Sequence, residues 1–184
     1  MPLSKPVRRH HLHTREIVCR GYKRDDGLWD IEATLADTKT YAFDNIDRGQ
    51  ISAGEPLHGM AIRLTVDDTL TVQEIEAASD FTPFAVCPSI TGAYAALKGL
   101  RIGRGWREAV REKVGRVKGC THLTDLLIGP MLTAAIHTVQ AARAKMSDAG
   151  SDGKTRPALL ESCHAFATDS PVVKRRWPAL YTGD

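Results

Sequence analysis

The sequence predicts an α+β fold: an antiparallel β-meander of about four strands packed against C-terminal helices. Apolar residues alternate with a period of two in four segments before residue 80. After Ser89 the spacing lengthens to that of helices. Two of the joins between strands are tight turns, Asp25-Asp26-Gly27 and Asp67-Asp68, which connect antiparallel neighbours.

Residues 1–12, with Pro2 and Pro6, read as an irregular arm. Thr14 to Tyr22 is the first expected strand, and Leu28 to Asp37 returns after the Asp-Gly turn. In the second strand Trp29, Ile31, Ala33 and Leu35 share the face expected to be buried, and Asp30 and Glu32 lie on the other. Residues 38–57 read as a long connection, and connections of this length often carry function. A third strand, His58 to Asp67, places Met60, Ile62, Leu64 and Val66 in one row, with His58 leading that row at the rim of the sheet. Leu70 to Ala77 is the fourth strand. Ser89 is a candidate N-cap for a short helix ending near Gly99, and Trp106 to Val114 reads as a helix closed by Gly115. A long helix follows from Cys120 and should kink or split at Gly129-Pro130.

A length of 184 residues, with 42% apolar and 26% charged residues, fits a single globular domain spanning 1–184, with a flexible loop at 147–156. No apolar run approaches the ~20 residues of a membrane span. The basic N-terminus lacks the apolar segment of a secretory signal, so the expected location is cytoplasmic. There the scattered Cys19, Cys87, Cys120 and Cys163 would remain thiols. The net charge of +3 gathers at the two ends without interleaved aromatics, which argues against nucleic-acid binding and for a small-molecule partner.

The stretch Gly119-Cys120-Thr121-His122-Leu123 carries the clearest chemical signal. A helix start supplies free N–H groups and the positive end of a dipole, which favour a thiolate. A thiolate and an imidazole two residues apart suit a soft or borderline metal ion. Taken by themselves, the same two residues read better as a buried thiol and a polar helix start. Asp30 and Glu32 face solvent or a site, and His13 ends a His-rich tract with His10 and His11. Gly99, Gly103 and Gly105 lack the third glycine and the βαβ setting of a dinucleotide fingerprint. The adjacent Cys163-His164 pair would diverge on any regular element.

Two resemblances follow from quoted motifs. His13-Thr14-Arg15, the run Tyr22 to Glu32, Gly119-Cys120-Thr121-His122-Leu123 and Cys163-His164 together resemble the bacterial family catalogued as domain of unknown function 2889. That likeness implies a link to aromatic-acid catabolism. Residues 54–140 also resemble the NifU/IscU-type iron–sulfur scaffold proteins. Their ligands come from a loop before a strand, a helix start after the last strand, and the start of a long late helix. By that likeness His58, Cys87 and Cys120 would hold a metal, with His122 close by. His58 stands where the scaffold has cysteine, and Met60 where it has aspartate, so a mononuclear Zn²⁺ or Fe²⁺ site is expected rather than a cluster. The expected function is a small metal-dependent lyase, or a hydrolase, acting on an aromatic, anionic molecule. Glu32, Asp30 or His13 would move the proton. The rivals are a non-catalytic metal or iron–sulfur carrier and a metal-free ligand-binding module.

Overall fold

The computed structural model describes residues 3–146 and 160–183. Strands β1 (His13–Lys23), β2 (Trp29–Lys39), β3 (Phe43–Asn45), β4 (Gly49–Ile51), β5 (Pro56–Val66) and β6 (Val72–Phe81) come first. Four of them form one antiparallel sheet in the order β1-β2-β5-β6, and β3 and β4 pair as a small separate hairpin. A 3₁₀ segment (Cys87–Leu97) precedes helices α1 (Trp106–Val114), α2 (Thr121–Ile128), α3 (Pro130–Met146) and α4 (Pro171–Arg176). The α+β class and the four-stranded meander stand as the sequence led us to expect. Among the described residues no helix is long and apolar enough to cross a membrane.

Strict alternation makes the sheet two-faced. Trp29, Ile31, Ala33 and Leu35 on β2 and Met60, Ile62, Leu64 and Val66 on β5 are buried, and join Tyr94, Trp106, Val110, Leu123, Leu126, Leu127 and Met131 in one core. The opposite face carries Asp30, Glu32 and Arg63, with Glu32 paired to Arg63 at 3.5 Å. At Gly21 the sheet comes close to α3, because a Cβ there would fall 1.8 Å from the Thr138 hydroxyl.

Several element boundaries and one connection differ from expectation. The fourth strand begins at Val72 rather than Leu70, because Leu70 has φ 66° and its N–H closes a turn onto the Asp67 carbonyl at 2.9 Å. The 38–57 connection holds the β3–β4 hairpin, whose turn is set by Asn45 Oδ1 accepting from the N–H groups of Asp47 and Arg48. The segment after β6 coils as 3₁₀ from Cys87, and Ser89 lies inside it. The helix after Cys120 does break at Gly129, giving α2 and α3.

The chain forms two compact units, residues 1–144 and 145–184. The loop expected at 147–156 lies outside the described residues. Within the second unit, Ser170 Oγ accepts from Val173 N–H and caps α4, and the Phe166 and Trp177 rings meet at 5.7 Å.

Candidate metal centre

At the end of the sheet where β2 finishes and β5 begins, the buried row of β2 continues one step further, to Asp37. Its carboxylate is 2% exposed and faces the same side as Leu35. Asp37 pairs with His58 across a β-bulge, where the register skips Leu57. Its two oxygens accept four hydrogen bonds. Oδ1 takes His13 Nε2 at 3.1 Å and Arg15 Nε at 2.7 Å. Oδ2 takes Arg15 Nη2 at 2.7 Å and His58 Nδ1 at 2.9 Å. Burial pushes the Asp37 carboxyl up, and the Arg15 and His58 hydrogen bonds and charges more than reverse it, so the group stays ionised below the usual carboxylate range.

An ionised carboxylate only accepts, so His58 must carry its proton on Nδ1 when neutral, leaving the Nε2 lone pair free. Burial lowers the His58 pKa, with Arg15 and His13 nearby adding to it against the pull of Asp37. The ring is therefore held neutral, the form that binds metals. Its centroid lies 4.0 Å from that of His122. His122 Nδ1 is in turn 3.8 Å from the Cys120 sulfur. Met60 Sδ, on the buried face of β5, is 3.9 Å from the same sulfur.

Cys120 is the N-cap of α2, and His122 lies in its first turn. Tyr94 holds that start in place. Its buried hydroxyl accepts from the Cys120 N–H at 2.9 Å and donates to the Cys120 carbonyl at 2.8 Å, so the cysteine backbone is gripped on both sides. Gly119 is required beside it, since a Cβ there would meet the Val114 carbonyl at 2.2 Å. Burial raises the Cys120 thiol pKa. The His122 ring and the backbone N–H groups of Leu123 and His122 overcome that, leaving the pKa below its ordinary value.

Asp37, His58 and His122 each offer a ligand atom within 4.8 Å of the others. The four hydrogen bonds into Asp37 occupy its lone pairs, so we assign it the role of orienting His58, a common partner of metal-bound imidazoles. That leaves His58 Nε2 and His122 from the cluster; Cys120 Sγ lies outside it, 3.8 Å from His122 Nδ1, and is the next donor within reach. A tetrahedral zinc places its nitrogen and sulfur ligands roughly 3.6 Å apart. The 3.8 Å between His122 and Cys120 fits that edge.

Of the residues singled out from sequence, the structure brings together His58, Cys120 and His122, and sets His13 at the rim on Asp37. Cys87, at the start of the 3₁₀ segment, does not join the donor cluster of Asp37, His58 and His122. Glu32 and Asp30 project from the opposite face of β2. Asp30 accepts from Thr65 Oγ1 at 2.7 Å there, and Glu32 pairs with Arg63. Neither carboxylate reaches the cluster, which corrects their expected place beside the metal. Cys163 and His164 lie in the second unit, with Cys163 exposed. Asp37, Arg15 and Tyr94 were missed. The signal for Asp37 was its place in the buried row of β2.

A family model described as a protein of unknown function (DUF2889) matches residues 13–137, more than half of the chain. The chain belongs to this family. No curated protein and no solved structure matches it. The DUF2889 match spans His13, Arg15, Asp37, His58, Met60, Tyr94, Cys120 and His122, and ends before Cys163.

Proposed function

We propose that the protein is a small metal-dependent enzyme built on a mononuclear centre held by His58, His122 and Cys120. The observation that carries this reading is the Asp37–His58–His122–Cys120 chain of contacts. In it a buried carboxylate with all its lone pairs used fixes one imidazole beside a second imidazole and an activated thiol. A zinc or ferrous ion there would polarise a carbonyl or hydroxyl oxygen of a substrate. The chain's own residues divide the remaining work. Asp37 keeps His58 neutral and correctly turned. His13, exposed and hydrogen-bonded to the same carboxylate, is placed to move a proton at the rim. Arg15 gives most of its Asp37-facing donors to the carboxylate but remains partly exposed, so it favours an anionic substrate.

The reaction class that fits is a lyase step, with hydrolysis next, on a small, aromatic and anionic molecule in the cytoplasm. The test is elemental analysis and reconstitution of the purified protein with Zn²⁺ or Fe²⁺. One equivalent should bind, and His58→Ala should weaken it while leaving the fold intact. Full occupancy after His58→Ala would remove His58 from the ligand set.

A second reading is a carrier of the iron–sulfur scaffold kind, and Met60 favours it. Its thioether, 3.9 Å from Cys120, would close the site as a fourth donor and leave no position for substrate. Met60→Leu separates the two readings. It would weaken metal binding in a carrier and leave it unchanged in an enzyme with an open position.

A further inference from the structure

We propose that strand β1 is a homodimer interface, along which two copies pair antiparallel about a two-fold axis through Val18 to form one continuous eight-stranded sheet. β1 is an edge strand of eleven residues, with β2 on one side only. Long edge strands expose a row of backbone donors and acceptors that templates pairing with another chain. This edge is also apolar on both faces: Ile17 is 42% exposed, Val18 41% and Tyr22 44%.

The charges on β1 select the occupant. Elsewhere on the outer face Glu32 and Glu76 both pair with Arg63. Glu16 and Arg20 lie on that face of β1, opposite Ala36 and Glu32 of β2, and among the described residues neither makes an ion pair. They are too far apart along the strand to meet, roughly 13 Å at ~3.3 Å per residue.

A second copy resolves this. Antiparallel strands keep both faces of a sheet matched only in registers that shift by two residues. For a strand running from His13 to Lys23, the register that pairs every residue is centred on Val18. That register sets Glu16 opposite the partner's Arg20, and Arg20 opposite the partner's Glu16. It also sets Ile17 opposite the partner's Cys19 on the other face, and Thr14 opposite the partner's Tyr22. Full overlap and charge complementarity therefore select the same alignment. A register slipped by two residues, centred on Ile17 or Cys19, faces both Glu16 and Arg20 with uncharged residues, and a centre on Glu16 or Arg20 sets that residue opposite its own copy.

The full chain should sediment as a dimer at about 10 µM, a concentration at which a micromolar Kd keeps much of it paired. Glu16→Arg and Arg20→Glu, each placing like charges opposite each other twice, should each weaken the dimer about tenfold or more. The combined exchange Glu16→Arg with Arg20→Glu recreates both pairs and should restore dimerisation. Val18→Cys, lying on the axis, should form a disulfide-linked dimer under mild oxidation. A monomer at this concentration would overturn the proposal. So would a dimer indifferent to both single exchanges, or a double exchange no better than either single one.

Discussion

Asp37 and Glu32 are two carboxylates on one strand, and the two faces of β2 treat them oppositely. Glu32 lies in a row of exposed charges and pairs with an arginine that it shares with Glu76. Asp37 occupies the last place in a row of core side chains and is buried under two imidazoles and a guanidinium. Water screens the first group and is excluded from the second. An exposed ion pair contributes little, whereas a buried carboxylate depends on every donor around it.

The sharpest test of this contrast is to remove Asp37. Asp37→Ala leaves Arg15 and His58 without their shared acceptor. It should lower unfolding stability by about 3–5 kcal/mol, read from the urea midpoint. It should also weaken metal binding by about 10–100-fold, because His58 loses the acceptor that fixes its tautomer. A loss below about 1 kcal/mol would show that water reaches the site freely.

Tyr94→Phe comes next. Two hydrogen bonds to the Cys120 backbone disappear while the ring still fills the core. A cost of about 1–3 kcal/mol is expected, with weaker metal binding at an unchanged fold. Equal metal affinity in Tyr94→Phe would mean that α2 begins in the same place without the clamp.

Part of this was legible in the sequence. The period-two rows placed His58 on the buried side, and the glycine before Cys120 marked the helix start that carries the thiol and His122. Asp37 was hidden because an aspartate at the end of a strand reads as a turn residue, although it continues the row of Trp29, Ile31, Ala33 and Leu35. Cys87 was grouped with the ligands through likeness to a scaffold, and its phase could not be read because 3₁₀ segments have no long apolar period. The β3–β4 hairpin escaped because three-residue strands are too short to show alternation. Tyr94 was invisible as a partner of Cys120, since no local pattern joins residues so far apart in the chain.

Acidification should separate the two faces with a smaller effect. His58 has a lowered pKa in the folded state, so its neutral form contributes stability above its ordinary value, about 6.5. That contribution is lost as pH falls through the folded value. Asp37, also lowered, adds a loss of the same sign at lower pH. The melting temperature should therefore fall between about pH 7 and 5, with a shallower slope in His58→Gln. An unchanged slope in that variant would assign the dependence to other groups.

The smallest effect is expected on the open face. Glu32→Gln should change stability by no more than about 1 kcal/mol and leave metal affinity unaltered. A large loss of binding would mean that the two faces communicate.

The most direct test of the central claim is metal content in the protein as purified, compared between wild type and Cys120→Ser. Close to one zinc or iron per chain is expected, lost in Cys120→Ser while the circular dichroism spectrum is unchanged. A wild-type protein that neither contains nor binds a metal, or a Cys120→Ser variant with full occupancy, would contradict it.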